Sequence, residues 1–160
     1  MSVEKKIAKA FNLEGDSWMK HTNPWSIWTR FATLPFIVLA VWSRVWIGWY
    51  CLIPIAILII WLFINPTLFP KPKDLNNWGS KSVLGEKFWS ERKQNPVPSH
   101  HHTPVKILTL LQTLGGIALI VGLWKLDLVF TISGTITVYL SKMWFLDRMV
   151  WLFEEMKEAK

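Results

Sequence analysis

The chain has 160 residues, of which 51% are hydrophobic and 18% charged, with 12 Trp and a single Cys; ordinary soluble domains hold roughly 45–50% apolar and about 25% charged residues. That balance excludes a typical water-soluble enzyme and points to one small polytopic membrane domain, residues 1–160, with little room for a second catalytic module. The formal net charge of +7 does not call for nucleic acid, because the basic residues flank apolar runs, where they meet anionic lipid headgroups.

At the N-terminus, Val3, Ile7 and Phe11 recur every four residues beside Lys5, Lys6 and Lys9. This predicts an amphipathic helix over 1–22 lying on the membrane surface. No apolar run of the kind that opens a secretory signal precedes Lys20. Asn23-Pro24 then places a capping side chain before a proline, a favoured helix start. The uncharged stretch Phe31 to Ser43, with Arg30 and Arg44 extending their stems toward the headgroups, predicts a first span over 27–46. A bend at Ile47-Gly48 leads to a second span over 48–64, with Pro54 expected to kink its interior and Asn65-Pro66 to close it.

Residues 65–105 form a connection long for so small a protein, and its aromatic content argues for order. Ser82 is expected to cap a short helix reaching about Lys93, with Leu84, Phe88 and Trp89 toward the membrane. Thr103-Pro104 starts a third span over 106–124, and a fourth covers 127–146, with Lys142 near its end. Ala118 and Gly122 in the third span, and Ser133, Thr137 and Ser141 in the fourth, are small residues at spacings suited to close helix packing. The expected fold is therefore all-α: four transmembrane helices as two hairpins, an interfacial N-terminal helix and a partly helical central connection. Cys51 lies in an apolar span and reads as a small buried filler.

Orientation follows from the basic residues. Five lie in 1–30, seven in 65–106 and four in 127–160, while the hairpin tips hold only Arg44 and Lys125. The positive-inside bias places both termini and the central connection in the cytoplasm, with most of the Trp residues as interfacial anchors.

Residues able to do chemistry gather on that side. His21, Glu86, His100, His102 and Asp147 offer nitrogen and oxygen donors suited to a transition metal such as Zn, Fe, Mn or Cu, or to another cofactor, if the fold gathers them. Pro96, Pro98 and Pro104 favour an extended path, in which His100 and His102 point to one side and His101 to the other. No HExxH, HxxxH or CxxC spacing is present, and the plain alternative is a set of solvated or interfacial loop histidines. Asn23, Asn65, Arg92, His101 and Arg148 read as interfacial or supporting residues. Arg148 is placed to stack on Trp144 or Trp151, at i−4 and i+3.

The segments His21 to Arg30, Asn65 to Pro70, Gly85 to Trp89, Pro98 to His101 and Trp144 to Trp151, taken together, resemble an uncharacterised family of small bacterial and archaeal integral membrane proteins, a domain of unknown function. The resemblance extends from about Trp18 to Met156. It implies a compact multi-span fold and brings no reaction or cofactor with it.

Two functions follow. The first is a non-catalytic accessory or partner-binding membrane protein with a polar cytoplasmic-face site, within a larger membrane complex or a homo-oligomer. The alternative is a metal- or cofactor-dependent membrane enzyme at the cytoplasmic interface, acting on a lipid-like substrate, with histidines as ligands and a carboxylate as ligand or proton acceptor. Solute transport is disfavoured, because few charges lie within the spans and four short helices enclose little on their own.

Overall fold

In the computed structural model, which describes residues 16–158, every regular element is helical. A short α1 (Asp16–His21) leads into α2 (Pro24–Trp42), α3 (Arg44–Ile47), a 3-10 turn at Gly48–Cys51, and α4 (Leu52–Leu68). After the connection come α5 (Trp78–Glu91), a 3-10 turn at Ser99–His101, α6 (His102–Lys125) and α7 (Leu128–Glu158). The expected amphipathic segment around Val3, Ile7 and Phe11 lies outside the described residues.

Three helical stretches are long and apolar enough to cross a membrane: Pro24–Leu68, Ser99–Lys125 and Leu128–Glu158. The first folds back on itself at Gly48, whose φ of 56° is costly for a residue with a Cβ. Ser26, in the first turn of α2, thereby donates to Asn65 Oδ1 near the end of α4 at 2.7 Å. The surface is inverted relative to a soluble protein. Leu39, Trp46, Ile57, Ile120, Val129 and Leu140 are exposed, whereas Thr22, Ser26, Asn65, Ser80, Ser82 and Ser141 are buried. Such a surface suits lipid, where polar groups must find their partners inside.

Asn23 caps α2 as expected, its side chain accepting from Trp25 N at 2.9 Å. Its amide also donates to Pro70 O at 2.9 Å, tying the helix start to the exit from α4. Other local signals act differently. Pro54 is the third residue of α4, where a missing N–H costs nothing, so it does not kink the interior. The interior proline is Pro35 of α2. Pro66 sits within the last turn of α4, which runs on to Leu68. In the connection, Asn77 rather than Ser82 caps the helix, accepting from Ser80 N at 2.9 Å. Ser82 is buried inside α5 and bonds back to Gly79 O. The third long helix begins at His102, a residue before Thr103, because the 3-10 turn already winds the chain.

Glycines set the closest helix approaches. A Cβ on Gly122 would lie 2.4 Å from Thr131 N, one on Gly134 2.4 Å from Leu119 N, and one on Gly115 2.9 Å from the Thr137 side chain. Gly122 and Thr137 thus belong to the expected close packing and Ser141 is buried, but Ser133 is exposed and bonds to Val129 O on its own helix. Gly115 and Gly134 take its place. At the far end of this pair, Arg44 donates to Leu123 O and Trp124 O, each at 2.6 Å, serving carbonyls that the end of α6 leaves open. The two chain reversals therefore lie side by side.

At 31 residues, α7 is about 46 Å long, well beyond a hydrocarbon core of about 30 Å. Its C-terminal turns pack on α5. Trp89, Val97, Val105, Met149 and Leu152 form the buried core there, with Phe88, Phe145 and Met156 around it. The helices touch where Gly85 faces Met149, since a Cβ at 85 would stand 1.9 Å from Met149 O. Cys51 is buried and free, as its surroundings implied.

Candidate functional site

Between α2, α4, α5, α6 and α7 lies a cavity of about 770 Å3, within the roughly 300–1,000 Å3 typical of small-molecule sites. One part of its wall is apolar, from Ile27, Phe31, Leu34 and Leu62 on one side to Val138, Phe145 and Leu146 on the other. The polar part combines His21, Arg30, Glu86 and Lys142 with Tyr139 and Gln112. Distant segments meet here because Gly85 lets α5 lie against α7, bringing Glu86 over Lys142.

The charged groups are arranged in pairs. Lys142 Nζ donates to Glu86 Oε1 at 2.7 Å, which explains how a lysine is accommodated after the uncharged run from Leu128 to Ser141. Arg30 Nη1 meets His21 Nε2 at 2.5 Å, and Arg30 Nε donates to Ser26 O at 3.0 Å. Burial, and then the charges of Arg30 and Lys142, push the His21 imidazole down from 6.5 to about 3. The ring is therefore neutral at physiological pH. Because a guanidinium can only donate, Nε2 accepts and the ring proton sits on Nδ1. Two cations face one carboxylate, so the polar end of the cavity carries one excess positive charge. Tyr139 OH donates to Phe31 O across the same space.

A second cluster stands apart from the cavity wall. Glu155 Oε2 lies 3.0 Å from His100 Nε2 and 2.9 Å from His101 Nε2. His101 is fully buried, while His100 is half exposed. Their rings are 4.3 Å apart at the centroids, and Trp151 lies 6.0 and 5.8 Å from them. The extended path expected through 100–102 is absent. The 3-10 turn rotates successive residues so that His100 and His101 converge, while His102 opens α6 and places its ring 5.2 Å from Trp89.

A model described as a family of unknown function, DUF6653, matches residues 2–160. The chain belongs to this family. No curated protein and no solved structure matches it.

In this DUF6653 chain the five donors read from the sequence are distributed over several environments. His21 and Glu86 share the cavity, each engaged with a cation. His100 joins His101 and Glu155, the His/carboxylate group among the described residues that is close enough to hold one ion. His102 packs on Trp89. Asp147 is exposed and accepts from Trp78 Nε1 at 3.2 Å, with Trp78 stacked 5.9 Å from Trp28. Of the supporting residues, Asn65 is wholly buried and clamps α2 to α4, accepting from Ser26 and donating to Thr29 at 2.8 Å. Arg92 lies over Trp89 at 4.5 Å and Arg148 over Trp151 at 4.4 Å, the latter at the expected i+3 spacing.

Sequence reasoning missed Glu155, Tyr139, Gln112 and the role of Arg30 inside the cavity. A signal existed for Gln112, the sole amide in an uncharged apolar run. Tyr139 and Lys142 also share a helix face at i, i+3. Glu155 carried no such mark among the C-terminal acidic residues.

Proposed function

We propose that this DUF6653 member is a multi-pass membrane protein that binds the anionic head of an amphiphile in the cavity and its chain along the apolar wall. The observation that carries this reading is a mostly apolar cavity wall whose charged groups are Arg30, Lys142 and the lone carboxylate of Glu86, the last bonded to Lys142. A low-dielectric wall strengthens the attraction of that excess charge for a phosphate or carboxylate. The polar groups hold one another in fixed pairs, which suits recognition more than bond making.

We place α2 and α4 as separate crossings, giving four in all. At 19 and 17 residues they are about 28 and 25 Å long, near the thickness of a hydrocarbon core. The bias of Lys and Arg toward 1–30, 65–106 and 127–160 supports placing both termini and the connection in the cytoplasm. The polar end of the cavity then opens toward the inner leaflet. The setting we propose is an accessory role within a larger membrane complex or a homo-oligomer, which cross-linking in native membranes tests.

For the ligand, detergent-purified protein is titrated with short-chain phosphatidic acid, short-chain phosphatidylcholine and inorganic phosphate by calorimetry. Saturable binding of phosphatidic acid, weaker binding of the other two, and loss of affinity in Lys142→Met are expected. Equal binding of all three, or binding indifferent to Lys142, overturns the reading.

A further inference from the structure

We propose that His100, His101 and Glu155 form a divalent transition-metal site, taking Zn2+ in its native use. None of the three lines the cavity, so the site is independent of the amphiphile reading. One carboxylate oxygen, Glu155 Oε2, is approached by two imidazole nitrogens at 3.0 and 2.9 Å. Bonds of about 2.0–2.1 Å to a tetrahedral ion put neighbouring ligand atoms about 3.3 Å apart, so both of these edges need to open by only a few tenths of an ångström. All three ligand atoms lie within 4.8 Å of one another. The remaining adjustment falls to His100, whose half-exposed side chain is the freest of the three.

The donor set has the right chemistry. Two imidazoles and one carboxylate, with a fourth position left to water, is a recurrent arrangement for Zn2+. Trp151 walls the two histidine rings, and such apolar surroundings restrict solvent around a bound ion. His101 supplies a separate observation. Its side chain has no exposed surface, so packing holds the ring rigidly with Nε2, the atom a metal would bond, toward Glu155.

The test uses the full chain in detergent, stripped with a chelator and titrated with Co2+ as a spectroscopic probe, then with Zn2+. One equivalent of Co2+ with a tetrahedral visible band, displaced by Zn2+, is expected. His100→Ala and Glu155→Gln should each weaken Co2+ binding by at least about tenfold, since even changes one shell further out cost roughly 10–100-fold. His102→Ala should leave it unchanged, because that ring faces Trp89. The exposure of His100 makes its variant the least disruptive to folding, and circular dichroism on each variant separates lost ligation from lost structure. Absence of Co2+ uptake by the unmodified protein, binding that survives both substitutions, or equal loss in His102→Ala overturns the assignment.

Discussion

Tyr139 of α7 donates its hydroxyl hydrogen to the carbonyl of Phe31 in α2, the acceptor that Pro35, four residues on and lacking an N–H, cannot serve. A defect in one helix is thus satisfied by a side chain from another, and the two rings lie 6.1 Å apart at the edge of the cavity. Tyr139→Phe should lower stability by about 0.5–1.5 kcal/mol. In a Pro35→Ala background, where residue 35 again offers an N–H to Phe31, the same change should cost much less. Thermal unfolding of the four proteins in detergent gives the cycle, and an equal cost in both backgrounds would falsify the link to Pro35.

The approach of α5 to α7 depends on Gly85. Its alanine variant places a Cβ 1.9 Å from Met149 O, a backbone atom that cannot rotate away. Gly85→Ala should cost several kcal/mol, above the usual overpacking range of about 1–3 kcal/mol, and should separate Glu86 from Lys142. Gly116→Ala meets nothing within 4 Å and serves as the control, with unchanged or slightly higher stability. Comparable melting of the two variants would refute this account.

Charge in the cavity should steer affinity in opposite directions. Glu86→Gln removes the negative partner and should tighten binding of an anionic amphiphile, whereas Lys142→Met should weaken it. Stability should respond differently, because Glu86→Gln strands a lysine that the double variant no longer contains. The double variant is therefore expected to be more stable than Glu86→Gln alone. Parallel titrations and melts check both orderings, and affinity changes of the same sign in the two single variants would contradict the electrostatic reading.

His21 predicts a specific pH dependence. Its folded imidazole titrates at about 3, against 6.5 for an unperturbed ring. As pH falls below 6.5, the unfolded chain takes up a proton that the folded protein refuses. Stability is therefore complete above that pH and declines toward pH 3, by at most about 1.4 kcal/mol per unit from this residue. His21→Gln keeps an acceptor for Arg30 without a titrating group. Its melting temperature should fall less than that of the parent between pH 7 and pH 4; identical slopes would show that His21 is protonated freely in the fold.

Much of the helical architecture was legible from local pattern. Asn23-Pro24 acts within its own turn, and Arg148 reaches Trp151 across one turn of α7, so neighbouring residues alone carry the information. Pro54 misled because proline is destructive in a helix interior and harmless in its first turn, and the sequence does not show where α4 begins. The histidine run misled for a similar reason: flanking prolines suggested an extended chain, while packing against Trp151 accompanies a 3-10 turn that swaps the convergent pair from His100 and His102 to His100 and His101.

Composition and short-range spacing set the inventory of apolar helices, basic flanks, and polar residues concentrated in the connection and at the helix ends. Which polar groups meet follows from how the helices pack. Glu86 finds Lys142 across 56 residues, Glu155 finds His101 across 54, and Tyr139 reaches Phe31 across 108. The backbone contact at Gly85 closes the first of those separations, and the glycine-lined seam between α6 and α7 brings the start of α6 alongside α7 for the second. In an apolar environment each polar side chain must take whichever partner that packing brings within reach.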